Sequence, residues 1–278
     1  MRWQWVMLLW LAAIMVLWAP PAGALSRLGN LVRPGENLAA LLPARDTWSG
    51  VYYCRKKKLD AALTAEIAVD SKTSEVTVVS SSTFYHLKAV LDRTLLLRES
   101  TYTTTDKYTN ERLGHDRREA RRTEGSGDHL SIVYSKNGIT TKEKTVRSPF
   151  FTIHLDVLQV TLQALLLKGV GDFTAEVILG DRAWKAAAEF RRVQSRNFPA
   201  LSPQFIFPKQ FGRLATLSKD HIVYVMQLAG VARLLYPHKF YCAFEDEPPH
   251  RFVAYWGGEP DWVEFVVRRD LVDEQGDR

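Results

Sequence analysis

The chain has 278 residues, with 37 Lys and Arg against 31 Asp and Glu, a formal net charge of +6 and 46% hydrophobic residues. These fractions are those of an ordinary globular protein. The charge is small and dispersed, which argues against nucleic acid as a partner.

The N-terminus has the three parts of a secretory signal peptide. Arg2 precedes an apolar run of thirteen residues, 6–18, and a small-residue site follows at Ala22-Gly23-Ala24. The alternative is an uncleaved membrane anchor, but a spanning helix needs about 20 apolar residues. We therefore expect residues 1–24 to be cleaved and the remainder to be soluble and periplasmic, with no membrane span. Residues 25–278 are then predicted to form a single β-rich domain.

The first part of that domain predicts a β meander. Residues 25–48 indicate an irregular lead-in, since Pro34, Gly35 and Pro43 interrupt it. Strands are predicted from alternating or β-branched patterns at 51–58, 62–70, 75–80, 94–105, 130–134 and 140–146. Residues 84–91 are compatible with a helical turn or a bent strand. The turn Lys136-Asn137-Gly138 predicts a hairpin.

The most charged stretch is 106–124, where six basic residues face five acidic ones. A mixed-sign stretch of this kind is typical of a solvated strand face. The alternative, a patch that binds polyanions, requires the arginines to converge in space.

One helix is predicted, over Asp156–Lys168. Asp156 is a candidate N-cap and Gly169 a candidate terminator. Its polar stripe is narrow, so the helix is expected to be buried on most sides.

Strands return after the helix. They are predicted at 172–179, 183–192, 213–216, 221–228, 240–245, 251–257 and 262–268. The predicted fold is therefore mainly β: a curved antiparallel sheet, or half-barrel, with the one apolar helix buried in its concave side.

A family resemblance adds to this interpretation. Ser148-Pro149-Phe150, Asp156-Val157-Leu158-Gln159 and Lys168-Gly169-Val170-Gly171-Asp172-Phe173 frame the helix. In these segments and in element order the chain resembles an uncharacterised family of exported bacterial proteins with a domain of unknown function. That resemblance implies a half-barrel related to the lipoprotein carriers LolA and LolB.

The two cysteines, Cys54 and Cys242, both lie in aromatic strand contexts. An oxidising compartment allows such a pair to form a disulfide, which is the prediction. The alternative is two buried reduced thiols.

The sequence offers little for catalysis. It has no His-x-x-x-His zinc pattern, no Gly-x-Ser-x-Gly elbow and no Walker or Rossmann glycine motif, so neither a metal nor a cofactor is predicted. The one cluster with acid–base character is 245–250, which has Glu245, Asp246 and His250. A turn forced by Pro248 and Pro249 is the favoured explanation of this cluster, so the sequence favours a non-enzymatic protein over a hydrolase.

Three functional hypotheses follow. In the first, the protein is an exported binding protein of the cell envelope that holds an acyl chain or lipid in an apolar cavity. The residues expected to line that cavity are Leu158, Leu162, Leu165, Tyr53, Trp184, Tyr224, Phe240 and Trp256. In the second, these residues are plain core and the protein is a structural or interaction module with an envelope protein partner. The third is the hydrolase.

Overall fold

The computed structural model describes residues 25–54, 59–105, 110–111, 113–123, 128–180, 183–194, 221–259 and 262–268. Only the backbone is described for 51–54, 59–61, 235, 258–259 and 262–268. The predicted signal peptide, 1–24, and the strand predicted at 213–216 lie outside the described residues.

Strands dominate the described chain. They are β1 Arg45–Cys54, β2 Leu59–Val69, β3 Val76–Ser82, β4 Tyr85–Leu91, β5 Leu97–Thr104, β6 Arg117–Arg122, β7 His129–Lys136, β8 Ile139–Arg147, β9 Thr152–His154, β10 Phe173–Leu179, β11 Trp184–Gln194, β12 His221–Leu228, β13 Lys239–Glu245, β14 Phe252–Glu259 and β15 Trp262–Arg268. The described helices are α1 Leu28–Leu31, α2 Leu158–Leu167 and α3 Val231–Leu235, with 3-10 turns at Ala39–Leu41 and Leu155–Val157.

These strands form one sheet in the order β8-β7-β6-β5-β4-β3-β2-β1-β15-β14-β13-β12-β11-β10-β9. Neighbouring strands are antiparallel except for the parallel pair β9 and β10. The first half of the sheet, β1 to β8, is a meander in chain order. The pairing of β1 with β15 joins it to the second half.

Chain connectivity forces this sheet to curl. The edge strands β8 and β9 stand fourteen strand spacings apart in the order, about 67 Å in a flat sheet. The chain nevertheless passes from Arg147 to Thr152 in a link that reaches at most about 18 Å. The two edges must therefore come close together. The predicted curved antiparallel half-barrel is confirmed.

Helix α2 lies inside the curl, as predicted. Eight of its ten residues are buried, including Leu162 and Leu165 at 0% exposure. The inward faces of the strands pack around it through alternating positions such as Leu63, Ala65 and Ile67. Gly169 ends the helix with φ of +80°, a left-handed conformation that glycine adopts at low cost.

The structure differs from the prediction in the bounds or the type of several elements. Strand β1 begins at Arg45, inside the predicted irregular lead-in, because Trp48 packs into the core. The ambiguous residues 84–91 form a strand, β4, and helix α3 was not predicted. No helix among the described residues is long and apolar enough to cross a membrane.

Asp156 is not the N-cap of the helix, so that prediction is wrong. Helix α2 begins one residue later, after Val157, whose side chain makes no capping bond. Asp156 lies in the preceding 3-10 turn and its carboxylate binds the Arg118 guanidinium instead. This charge-assisted pair uses the carboxylate that a helix cap would require.

Among the described residues no backbone ladder pairs β8 with β9, and side-chain contacts join the two halves of the sheet there instead. Two of them, which we call the seam contacts, connect β6 and β7 with the chain near β9 and β10. Arg118 binds Asp156, and the Tyr134 hydroxyl donates to the Gly180 carbonyl at 2.7 Å. The seam contacts close the half-barrel around α2.

Candidate functional site

The interior beside the helix is the place where the sequence expects an apolar cavity. Leu158, Leu162 and Leu165 lie there, all buried, within one continuous apolar core. The cavity that borders Leu165 and Thr161 holds about 20 Å³, room for one water. The described core at this point is therefore packed.

The predicted aromatic residues separate into two groups. Tyr224 and Phe240 face the helix with the leucines, and the Tyr224 hydroxyl donates to the Val170 carbonyl at 2.6 Å. Trp256 stacks on Tyr241 at 5.2 Å, on the opposite face of the sheet. Trp184 is 45% exposed. The side chain of Tyr53 lies outside the described residues.

The predicted disulfide between Cys54 and Cys242 is not formed. Cys242 is a free, buried cysteine, and burial raises the pKa of its thiol. Strands β14 and β15 lie between β13, which carries Cys242, and β1, which carries Cys54. Three strand spacings amount to about 14 Å, whereas a disulfide needs Cα atoms within about 7 Å. The side chain of Cys54 lies outside the described residues.

The acidic cluster at 245–250 forms the turn between β13 and β14. The Glu245 carboxylate makes a two-pronged ion pair with Arg251 at 2.6 and 2.7 Å. His250 is buried, and its Nδ1 lies 2.9 Å from the Glu245 carbonyl oxygen. Gln163 of α2 donates to the Pro249 carbonyl at 2.9 Å. Asp246 accepts from Gln194 at 3.4 Å, so each of these groups is held by a neighbouring residue of the turn or of the sheet.

A larger open space lies on the outside of the sheet. It is a groove of about 840 Å³ over β4, β5, β6 and β7, which we call the outer groove. Its outward side chains include Lys88, Glu99, Thr101, Glu119, Arg121 and Ser131. This volume lies within the range of ligand sites in proteins.

Strand register explains why these side chains share one face. Glu99 of β5 pairs with Arg121 of β6, which pairs with Ser131 of β7. In the neighbouring cross-strand row, Lys88 of β4 lies opposite Thr101 of β5, and Thr101 lies opposite Glu119 of β6. The residues between them along each strand, such as Ala89 and Ala120, are buried on the helix side. The groove is therefore polar, and the helix side of the same strands is the core.

Three charged side chains of the outer groove form no ion pair with a described residue. Glu119 pairs with Arg117 at 2.7 Å. Lys88, Glu99 and Arg121 make no ion pair with a described residue, and all three are exposed. The groove therefore offers two cations and one anion to a ligand, together with hydroxyl groups.

A buried polar cluster lies on the opposite face of the same strands. Arg118 is 1% exposed, and its guanidinium lies 5.1 Å from the centre of the Tyr102 ring. Gly180 lies against it so closely that a Cβ there would stand 2.5 Å from an Arg118 nitrogen. His154 Nδ1 lies 3.5 Å from the Asp156 carboxylate. The cluster therefore fills the seam with buried charge.

The electrostatics of this cluster favour the ionised carboxylate. Burial raises the pKa of Asp156, but the adjacent Arg118 guanidinium and His154 outweigh burial and hold that pKa below its ordinary value. The expectation that 106–124 is a solvated face is thus wrong at Arg118, although Arg117 and Arg121 do face solvent. The period-2 alternation of β6, with Arg118 and Ala120 on one face, is the signal that could have located it.

Among the residues described, no group of three or more His, Cys, Asp or Glu side chains is placed to hold a metal ion. No protein-family model matches the chain, and no curated protein sequence matches it. Among solved structures, the chain is similar to the crystal structure of a beta-barrel-like protein of domain of unknown function DUF1849 from Brucella abortus. The TM-score is 0.42 and the identity 11%, over 82% of this chain and 96% of that chain.

Proposed function

We propose that this protein is an exported, non-enzymatic binding protein of the bacterial cell envelope whose ligand lies in the outer groove. The signal peptide predicted at 1–24 supports export. The observation that carries the proposal is the contrast in open volume, about 840 Å³ in the outer groove against about 20 Å³ beside α2.

The charges of the groove favour a zwitterionic ligand, such as a short peptide. A ligand carboxylate can reach Lys88 or Arg121, and a ligand ammonium can reach Glu99. Hydroxyl groups of Thr101 and Ser131 supply hydrogen bonds without charge. Charge-assisted hydrogen bonds to these groups give orientation as well as affinity.

The acyl chain predicted from the sequence is less well supported as a ligand. It needs an apolar space, and the leucines that would line that space pack into the core. The relation to LolA and LolB stays a prediction of the sequence resemblance.

A pair of peptide libraries tests the proposal. Isotope-labelled protein is titrated with unblocked tripeptides, and in parallel with the same tripeptides acetylated and amidated. We expect amide shifts at 99–101, 119–121 and 131 with the unblocked peptides only. Equal shifts with both libraries would overturn the zwitterion assignment. In a separate titration with decanoate, amide shifts at α2 would overturn it as well.

A second candidate function is an interaction module, and the edge strand β8 favours it. Strand β8 ends the sheet order, and most of its side chains are exposed. An extended partner segment could add to its unpaired backbone groups. A photo-crosslinking residue at Thr141 tests this in the periplasm: a discrete crosslinked protein supports it, and no adduct contradicts it.

A further inference from the structure

Large exposed apolar side chains gather at one end of the sheet. Among the described residues they are Ile139 at 72% exposure, Trp184 at 45%, Val231 at 73% and Leu234 at 67%. Leu41, at 39%, lies at the opposite end, beside the turn between β4 and β5. Scattered single apolar residues need no explanation, but a group at one place does.

Connectivity shows that the four residues follow one another around this end. Ile139 follows the β7–β8 turn, and the Tyr134 hydroxyl near that turn binds the Gly180 carbonyl of the β10–β11 turn. Trp184 begins β11, and Ala229, which leads into α3, donates to Ala187 of β11 at 2.8 Å. We call the described residues of these three connections, 137–139, 180, 183–184 and 229–239, the rim. The apolar side chains therefore form one series across the rim.

The segment around α3 is cationic as well as apolar. Residues 229–239 contain Arg233, His238 and Lys239 and no acidic residue. Arg233 and Lys239 are both exposed. Tyr236 stacks on Phe240 of the core, with ring centres 5.9 Å apart and planes 4° apart. This stack ties the segment to the sheet and presents Val231 and Leu234 outward.

This combination fits one partner best. We propose that the rim docks on an anionic lipid bilayer, with Val231, Leu234 and Trp184 entering the interface and Arg233 and Lys239 contacting headgroups. Apolar tips beside basic residues are the pattern of proteins that lie on membranes, and Trp is favoured at the interface. Anionic lipids attract basic segments near their surface.

A second copy of the chain fits less well. A two-fold contact through the rim would bring Arg233 and Lys239 of one copy towards the same residues of the other. The docking proposal uses the rim and not the outer groove, so it does not depend on the zwitterionic ligand.

Vesicle flotation tests the proposal. The mature chain is mixed with vesicles of phosphatidylethanolamine and phosphatidylglycerol at seven to three, and with phosphatidylcholine vesicles. We expect flotation with the anionic vesicles and at least tenfold less with phosphatidylcholine. Val231→Ser/Leu234→Ser and Arg233→Gln/Lys239→Gln should each reduce flotation about tenfold, because both apolar insertion and charge contribute.

The matched control is Leu41→Ser, which removes an exposed apolar side chain at the other end. It should float like the wild type, as should the groove variant Lys88→Gln/Arg121→Gln. Melting curves establish that each variant is folded. Failure of the wild type to float, equal loss in Leu41→Ser, or rim-dependent dimers in light scattering without flotation would each overturn the proposal.

Discussion

The two faces of strands β4 to β7 differ in what they can bind. On the helix side, Ala89, Ala120 and Ile132 are packed against other buried groups. On the outer side, the same strands present Lys88, Glu99 and Arg121 around an open groove. On these strands the open volume therefore lies on the polar face, because the apolar side chains of the other face are packed into the core.

The largest loss of stability is expected when the Arg118 guanidinium loses its carboxylate partner. Asp156→Ala should lower the free energy of unfolding by about 3–5 kcal/mol, because it removes the carboxylate that pairs with a buried guanidinium. Urea unfolding measures the change. Arg118→Met/Asp156→Leu should recover most of it, and a double variant as unstable as Asp156→Ala would contradict the role of the ion pair.

A second change opens the packed core at α2. Leu162→Ala should cost about 2–5 kcal/mol in unfolding free energy, since the side chain has no exposure. Gln159→Ala on the same helix is the control, with an expected change below about 1 kcal/mol because Gln159 is only half-buried. A loss below about 1 kcal/mol at Leu162 would indicate an interior looser than described.

Acid should weaken the seam contacts. The ordinary pKa of Asp156 is 3.8, and its pKa in the folded state is lower. The resulting stability is fully present above the unfolded pKa and is lost as pH falls through the folded pKa. The difference in unfolding free energy between wild type and Asp156→Asn should therefore shrink below about pH 4. A constant difference down to pH 2 would contradict this.

Reducing agent should leave stability unchanged, because Cys242 is a free thiol. Melting curves of residues 25–278 with and without dithiothreitol should coincide. A lower melting temperature in dithiothreitol would show that a disulfide stabilises the fold after all.

Local patterns account for most of the fold. The alternation in 62–70 and the apolar run of α2 have the periods of a strand and a helix, so both could be predicted. Arg118 could not be located by charge, because a charged stretch alternates between faces once it becomes a strand. Burial of one arginine depends on Asp156, which is 38 residues away.

Long-range placement accounts for the rest. Spacing of Cys54 and Cys242 says nothing about strand order, and two strands lie between them. The outer groove likewise depends on cross-strand neighbours, such as Glu99 and Arg121, which no local pattern brings together. Among the predicted cavity residues, the three leucines of α2, Tyr224 and Phe240 lie in the core, whereas Trp184 is 45% exposed.

Calorimetry of three proteins with unblocked tripeptides tests the ligand site proposed in the outer groove directly. Lys88→Gln/Arg121→Gln should weaken binding at least tenfold relative to wild type and leave the unfolding free energy within about 0.5 kcal/mol. Lys72→Gln/Arg93→Gln, with the same charge change outside the groove, should bind like the wild type. Equal affinity in all three proteins would contradict a ligand site in the outer groove.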